Sequence, residues 1–246
     1  MAKIIVFSNL KGGVGKSTLC CHFAHFLVAK NQKVAVLDAD LSHNIYNLRQ
    51  RELAKVKDAV KPWEVWTLDA AASTDAVIER AKTLPGYVLI DCPGTLNDPA
   101  LLKVFQAADA AVIPFRYDDF MIDSTFTFTK VLMKEAPQAK KIYVPNIIKM
   151  GVRYALQDSA TEMFSKAGVV TFRVKDGVAI QRLSTLYAQD PFAPGSSMVA
   201  YGNSLYHALI LSLELCIACS SSIVTSQRIS TSLLTICICL EEESPR

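Results

Sequence analysis

The sequence predicts an α/β protein, a doubly wound, mostly parallel sheet with helices on both faces. Three observations carry this. Short β-branched runs alternate with longer helical patterns. Most of the strand-like runs are continuously apolar, as strands covered on both faces are. The first run leads straight into a glycine-rich turn that opens a helix.

Taken in order, KIIVFS (3–8) reads as the first strand and 16–30 as the first helix. KVAVLD (33–38) and EVWTL (64–68) read as strands, followed by a helix over 74–83. YVLID (87–91) and AAVIPF (110–115) are strands separated by a helix over 98–107. A helix over 119–135, a strand KIYVPN (141–146), a helix over 153–167 stopped by Gly168, and a strand VVTFRV (169–174) complete the alternation. Ligands of such sheets bind beyond the carboxyl ends of the strands, so chemistry-bearing residues are expected there.

The chain has 246 residues, enough for one domain with a sizeable core. The expected division is a domain over 1–214 and a tail over 215–246, whose Ser, Thr, Cys and Ile show no helical period. Its uncharged runs are shorter than the ~18 residues of a membrane span. Seven cysteines, four of them in the tail, do not suggest a disulfide framework, and MAKIIVFSNL does not read as a secretory signal. A reduced, cytoplasmic setting is expected. The net charge of +3 is too small to imply a polyanion partner. Between Lys140 and Arg182, however, eight basic residues stand against three acidic ones; taken alone, that is a solvated basic face.

The segment IIVFSNLKGGVGKST (4–18) carries the most chemistry. Gly12, Gly13, Val14 and Gly15 can turn backbone N–H groups around phosphate oxygens at a helix N-terminus, with Lys16 as the cation for the β- and γ-phosphates. The Ser17 hydroxyl can ligate Mg²⁺, and Thr18 follows in the same turn. Leu10 replaces the first glycine of the usual phosphate-loop pattern, and a second cation, Lys11, opens the loop. Asp38 and Asp40 close one strand and Asp91 another, where they can face a Mg-nucleotide.

Together Lys11-Gly12-Gly13-Val14-Gly15-Lys16-Ser17, the Asp-x-Asp at 38–40 and Asp91-Cys92-Pro93-Gly94 resemble the ParA/MinD family of deviant phosphate-loop ATPases. The likeness continues through AADAAVIPFRYDDFMIDS (107–124) and VPNIIK (144–149), and the chain looks like the compact ParA type that partitions plasmids and mobile elements. The resemblance implies ATP and Mg²⁺ as cofactors and a homodimer formed on ATP binding, with Lys11 reaching the partner subunit's phosphates. It implies that Asp40 orients the attacking water, Asp91 holds Mg²⁺ through water, Asp38 supports the metal shell and Asn146 hydrogen-bonds adenine. Many ParA proteins continue the Asp-x-Asp with Pro-Gln; this chain has Leu41-Ser42.

The same resemblance implies non-specific DNA and a ParB-like protein as partners, nucleoid association, and no stable membrane insertion. Arg153, Arg173, Lys175 and Arg182 become candidates for DNA phosphate contacts. Two alternatives are a MinD-like membrane-positioning ATPase and an iron–sulfur carrier ATPase. The first is disfavoured by a tail with only Arg228 and Arg246, and the second needs Cys216 and Cys219. Cys20, Cys21, His22 and His25 have ligand-like spacing, but on a helix beneath the phosphate loop they are expected to be core.

Overall fold

The computed structural model describes residues 1–187 apart from 57, 69–72, 97 and 172. The expected boundary at 214/215, the tail over 215–246 and the pair Cys216 and Cys219 lie outside the described residues.

Seven parallel strands form one sheet: β1 (Lys3–Phe7), β2 (Val34–Asp38), β3 (Glu64–Thr67), β4 (Tyr87–Asp91), β5 (Ala110–Phe115), β6 (Lys140–Pro145) and β7 (Val169–Val170), in the order β3-β2-β4-β1-β5-β6-β7. The helices are α1 (Lys16–Ala29), α2 (Asn44–Lys55), α3 (Thr74–Thr83), α4 (Pro99–Ala107), α5 (Asp119–Glu135), α6 (Gln157–Ser165) and a single turn, α7 (Val178–Gln181). The doubly wound parallel sheet expected from the sequence is present. The chain leaves β1 toward β2 on one side and leaves β4 toward β5 on the other. That reversal opens a crevice above the carboxyl ends of β1 and β4.

Each strand alternates between two cores, which explains its continuous apolar sequence. Ile4, Val6, Leu37, Ile90 and Ile113 pack on one face under α3–α6. Ile5, Phe7, Val36, Leu89 and Val112 pack on the other with α1 residues Leu19, Phe23 and Leu27. The helix α1 is apolar nearly all round because it lies across the sheet centre.

Three expectations change. The strand expected over 169–174 keeps only Val169 and Val170, with a single bridge from Ile148 to Lys175 beyond it. The helix expected from Arg153 starts at Gln157 and ends at Ser165. Gly168 follows three residues later, pressed against the Lys141 carbonyl where a Cβ would collide. Helix α2 is a feature the sequence did not reveal.

Candidate functional site

The phosphate-loop sequence sits in the crevice between β1 and α1. Gly15 takes φ 88°, a left-handed conformation that glycine alone adopts without strain, and a Cβ there would meet the Asn146 side chain. Lys11, Gly12 and Gly13 are exposed, Val14 and Lys16 are buried, and Ser17 and Thr18 are half-buried. Asp98 caps α4 and Asp118 caps α5, but no side chain caps α1. Its first amides are therefore available to an anion.

The motif at 91–94 packs on this loop. A side chain at Gly94 would press on the Gly12 nitrogen at 3.2 Å and the Lys11 carbonyl carbon at 3.3 Å. Asp38 and Asp91 are direct neighbours in the β2–β4 register. Following Val36 and Leu89 by two residues, both side chains point to the α1 face. The two carboxylates then part in role.

Both Asp91 oxygens are buried without a hydrogen-bond partner. Burial pushes the carboxyl up to about 7. The neighbouring Ser17 hydroxyl opposes the rise without closing a bond of proper geometry, and Asp38 adds to it. An acceptor pair with no donor, beside a serine hydroxyl, fits a hydrated Mg²⁺, a hard cation that takes oxygen ligands. Asp38 instead serves helix α2. Its Oδ2 accepts from Ile45 N–H at 2.9 Å and Tyr46 N–H at 3.0 Å, and its Oδ1 from Asp40 N–H at 3.4 Å. Burial raises the Asp38 carboxyl, and the Tyr46 and Asp40 amides pull it back. Asp38 thus caps the helix that follows Asp40 while standing beside Asp91.

Asp40 is half-buried, and its Oδ1 accepts from both Ser42 N–H and Ser42 Oγ–H. Leu41-Ser42, the departure from the family pattern, is therefore a closed turn on Asp40. Asn146 is 3% exposed, and its Nδ2 donates to the Val14 carbonyl at 2.7 Å, bolting the end of β6 to the loop. Next to it, Ile147 holds φ 58°, a strained conformation for a β-branched residue.

Arg153, Arg173 and Lys175 are exposed and belong to segments at the carboxyl end of β6 and beside β7. The Arg173 guanidinium donates to Gln157 Oε1 at 2.8 Å. Arg182 is exposed but lies apart, over α1, where the flanking Ile180 and Ser184 carbonyls meet His22 and His25 at 3.1 and 2.9 Å. Burial lowers the pKa of both imidazoles. Cys20 and Cys21 are fully buried core, and among the described residues no group of three or more His, Cys, Asp or Glu is placed to hold a metal ion.

Two features carry no sequence signal of their role. Ser42 stands out only as part of the Leu41-Ser42 departure. Arg49 of α2 is buried, stacks over Trp63 and donates to Trp63 O, Thr185 O and Thr185 Oγ1, each at 2.8 Å.

A family model described as the CobQ/CobB/MinD/ParA nucleotide binding domain matches residues 5–208. An uncharacterised Pseudomonas putida protein is 27% identical over 157 residues, 50% of this chain and 59% of that protein. The chain thus spans little more than half the length of that relative. The chromosome partitioning protein ParA of Caulobacter vibrioides is 26% identical over 204 residues, 67% of this chain and 74% of that one. Among solved structures, a putative plasmid partition protein of Borrelia burgdorferi bound to AMPPNP superposes with a TM-score of 0.64 at 18% identity, covering 86% of this chain and 100% of that one.

Proposed function

The chain belongs to the CobQ/CobB/MinD/ParA nucleotide-binding domain family, and from that premise we propose that it is a DNA-partitioning ATPase of ParA type. It dimerises on ATP, binds DNA non-specifically at the nucleoid, and hydrolyses ATP slowly until a ParB-like partner stimulates it. The observation that carries the reading is the composition of one crevice. An uncapped helix N-terminus, a buried Lys16, a half-buried Ser17 and an Asp91 with two unpartnered oxygens share the carboxyl ends of β1 and β4.

The roles follow from that placement. The loop amides of Gly12, Gly13, Val14 and Gly15, with Lys16, hold the phosphates. Ser17 and Asp91, with Asp38 beside them, would hold Mg²⁺, which would neutralise developing charge on the phosphoryl oxygens. Thr18 extends the phosphate contacts in the first turn of α1. Asn146, fixed against Val14, reads the adenine. Asp40 orients water for attack on the γ-phosphate. Lys11, exposed at the mouth of the loop, reaches the nucleotide of a second subunit and offsets its charge in a water-poor interface. Arg153, Arg173, Lys175 and Arg182 are assigned to DNA phosphates. The tail after 214 is assigned no part in the ATPase.

Two measurements test this together: sedimentation of the full chain with ATP or ADP, and binding to random-sequence DNA across salt concentrations. The expected result is a dimer and salt-sensitive DNA binding with ATP and neither with ADP. ATP-dependent binding to anionic vesicles without DNA binding would move the protein to the MinD-like reading. Among the described residues no helix is long and apolar enough to cross a membrane.

A further inference from the structure

Ser42 stands at the centre of a small network after β2. The Asp40 Oδ1 accepts from its backbone N–H at 2.9 Å and from its hydroxyl at 2.7 Å. That hydroxyl is itself aimed. Asn44 Nδ2 donates to Ser42 Oγ at 2.8 Å, which occupies the acceptor side of the oxygen and directs its proton to Asp40. Asn47 Nδ2 donates to the Ser42 carbonyl at 3.0 Å, tying the turn to the first turns of α2. Helix α2 hangs in turn from the Asp38 carboxylate through the Ile45 and Tyr46 amides. His43 completes the turn with φ 45°, a left-handed backbone uncommon outside glycine, and its N–H donates to the Asp40 carbonyl at 2.9 Å.

We propose that Ser42 is a positioning residue for hydrolysis, holding one oxygen of the Asp40 carboxylate so that the other accepts from the attacking water. This rests on the reading of Asp40 as the water-orienting group. In the step served, the water oxygen bonds to the γ-phosphorus as the bond from phosphorus to the β–γ bridging oxygen breaks; ADP departs with that oxygen, and both protons of the water leave on the inorganic phosphate as H₂PO₄⁻. An unanchored carboxylate samples other rotamers and holds the water in line for less of the time. Asn44 acts one step further out, by fixing the rotor of the Ser42 hydroxyl. Sequence alone marks this stretch only as a departure from Pro-Gln; the double hydrogen bond gives the replacement its purpose.

The test is steady-state ATP hydrolysis by the full chain, with ATP affinity measured separately by calorimetry. The variants are Ser42→Ala, Ser42→Thr, Asp40→Ala and the double Asp40→Ala/Ser42→Ala. Ser42→Ala is expected to lower kcat roughly three- to tenfold, the effect of one lost hydrogen bond, with ATP affinity unchanged. Ser42→Thr, which keeps the hydroxyl, should recover kcat to within about twofold, and the double variant should be no slower than Asp40→Ala. Wild-type kcat in Ser42→Ala, no recovery in Ser42→Thr, or a weakened ATP affinity accompanying the loss would each overturn the positioning role while leaving Asp40 in place. Wild-type hydrolysis by Asp40→Ala would instead remove the reading of Asp40, and the role of Ser42 with it.

Discussion

The Lys16 ammonium donates to the backbone carbonyl of Lys11 at 3.1 Å. One lysine is thus folded back over the loop that the other opens. Lys16 is 8% exposed and lies within the cradle, whereas Lys11 stands in solvent at its mouth. Two cations five residues apart serve different places.

That division predicts different failures. Lys16→Ala should abolish ATP binding by calorimetry, because the loop loses the cation closest to the phosphates. Lys11→Ala should bind ATP within a few-fold of wild type yet sediment as a monomer. A Lys11→Ala protein that dimerises with ATP as wild type does would remove the role across the interface.

Asp91 predicts a pH-dependent stability. Its folded pKa lies at about 7, above the ordinary 3.8, so its ionisation opposes folding. Below about pH 4 the carboxyl is protonated in both states and burial carries no such penalty. From there to about 7 the unfolded chain ionises first and the penalty grows, on the order of 4 kcal/mol at most, then stays constant at higher pH. Without nucleotide or Mg²⁺, Asp91→Asn should therefore gain melting temperature over wild type, by more at pH 8 than at pH 5.5. A difference that shrinks with rising pH would show that the carboxylate is not held unpaired. With Mg-ATP the order should reverse, because the variant loses the ligand that stabilises wild type.

How much of this was legible in the sequence depends on what each element buries. β1, β2, β4, β5 and β6 announce themselves because both faces meet apolar helices. Helix α2 was silent because its inward face carries Ile45 and Arg49, so no apolar stripe recurs at helical spacing. β7 read too long because only Val169 and Val170 pair in register with β6, although the Thr171 and Val174 N–H groups still donate to the Tyr143 and Pro145 carbonyls at 2.9 and 2.7 Å. The loop and Asp91 were legible as motifs. The helix cap made by Asp38 was not, because an aspartate that accepts from the amides of Ile45 and Tyr46 has the same letter as a metal ligand.

Arg49 predicts a large loss of stability on truncation. Its guanidinium satisfies two buried carbonyls and the Thr185 hydroxyl, and Glu52 on the same helix accepts from Thr185 N–H at 2.8 Å. Arg49→Ala strands those carbonyls and leaves a void against Trp63, a loss of roughly 3 kcal/mol. The melting temperature should fall by roughly 6–12 °C. Arg49→Lys should recover little, since one ammonium cannot reproduce a three-bonded planar fork. A melting temperature within 2 °C of wild type for Arg49→Ala, on the scale of roughly 2–4 °C per kcal/mol, would mean the clamp carries no weight.

The basic residues separate into two places, and the DNA experiment can resolve them. Arg153, Arg173 and Lys175 follow β6 and β7 at one lateral end of the sheet, on the carboxyl side where the crevice of β1 and β4 also opens, and Gln157 holds the Arg173 guanidinium in one direction. Arg182 sits over α1 on the side of the molecule where His22 and His25 fasten the chain. Each phosphate contact contributes roughly 0.9 to the slope of log affinity against log salt. If the β6–β7 group makes the contacts, replacing Arg153, Arg173 and Lys175 by Ala should flatten the slope by roughly 2 to 3 and weaken binding equally on every sequence tested, since phosphate contacts carry no base information. Arg182→Ala alone should flatten it by about 1 or less. ATP-driven dimerisation should survive in both variants, because none of the four residues belongs to the phosphate loop. An unchanged slope in the triple variant with a full effect in Arg182→Ala would place the DNA surface on the α1 side, so the two slopes, measured by fluorescence anisotropy with ATP present, decide which face of the protein meets DNA.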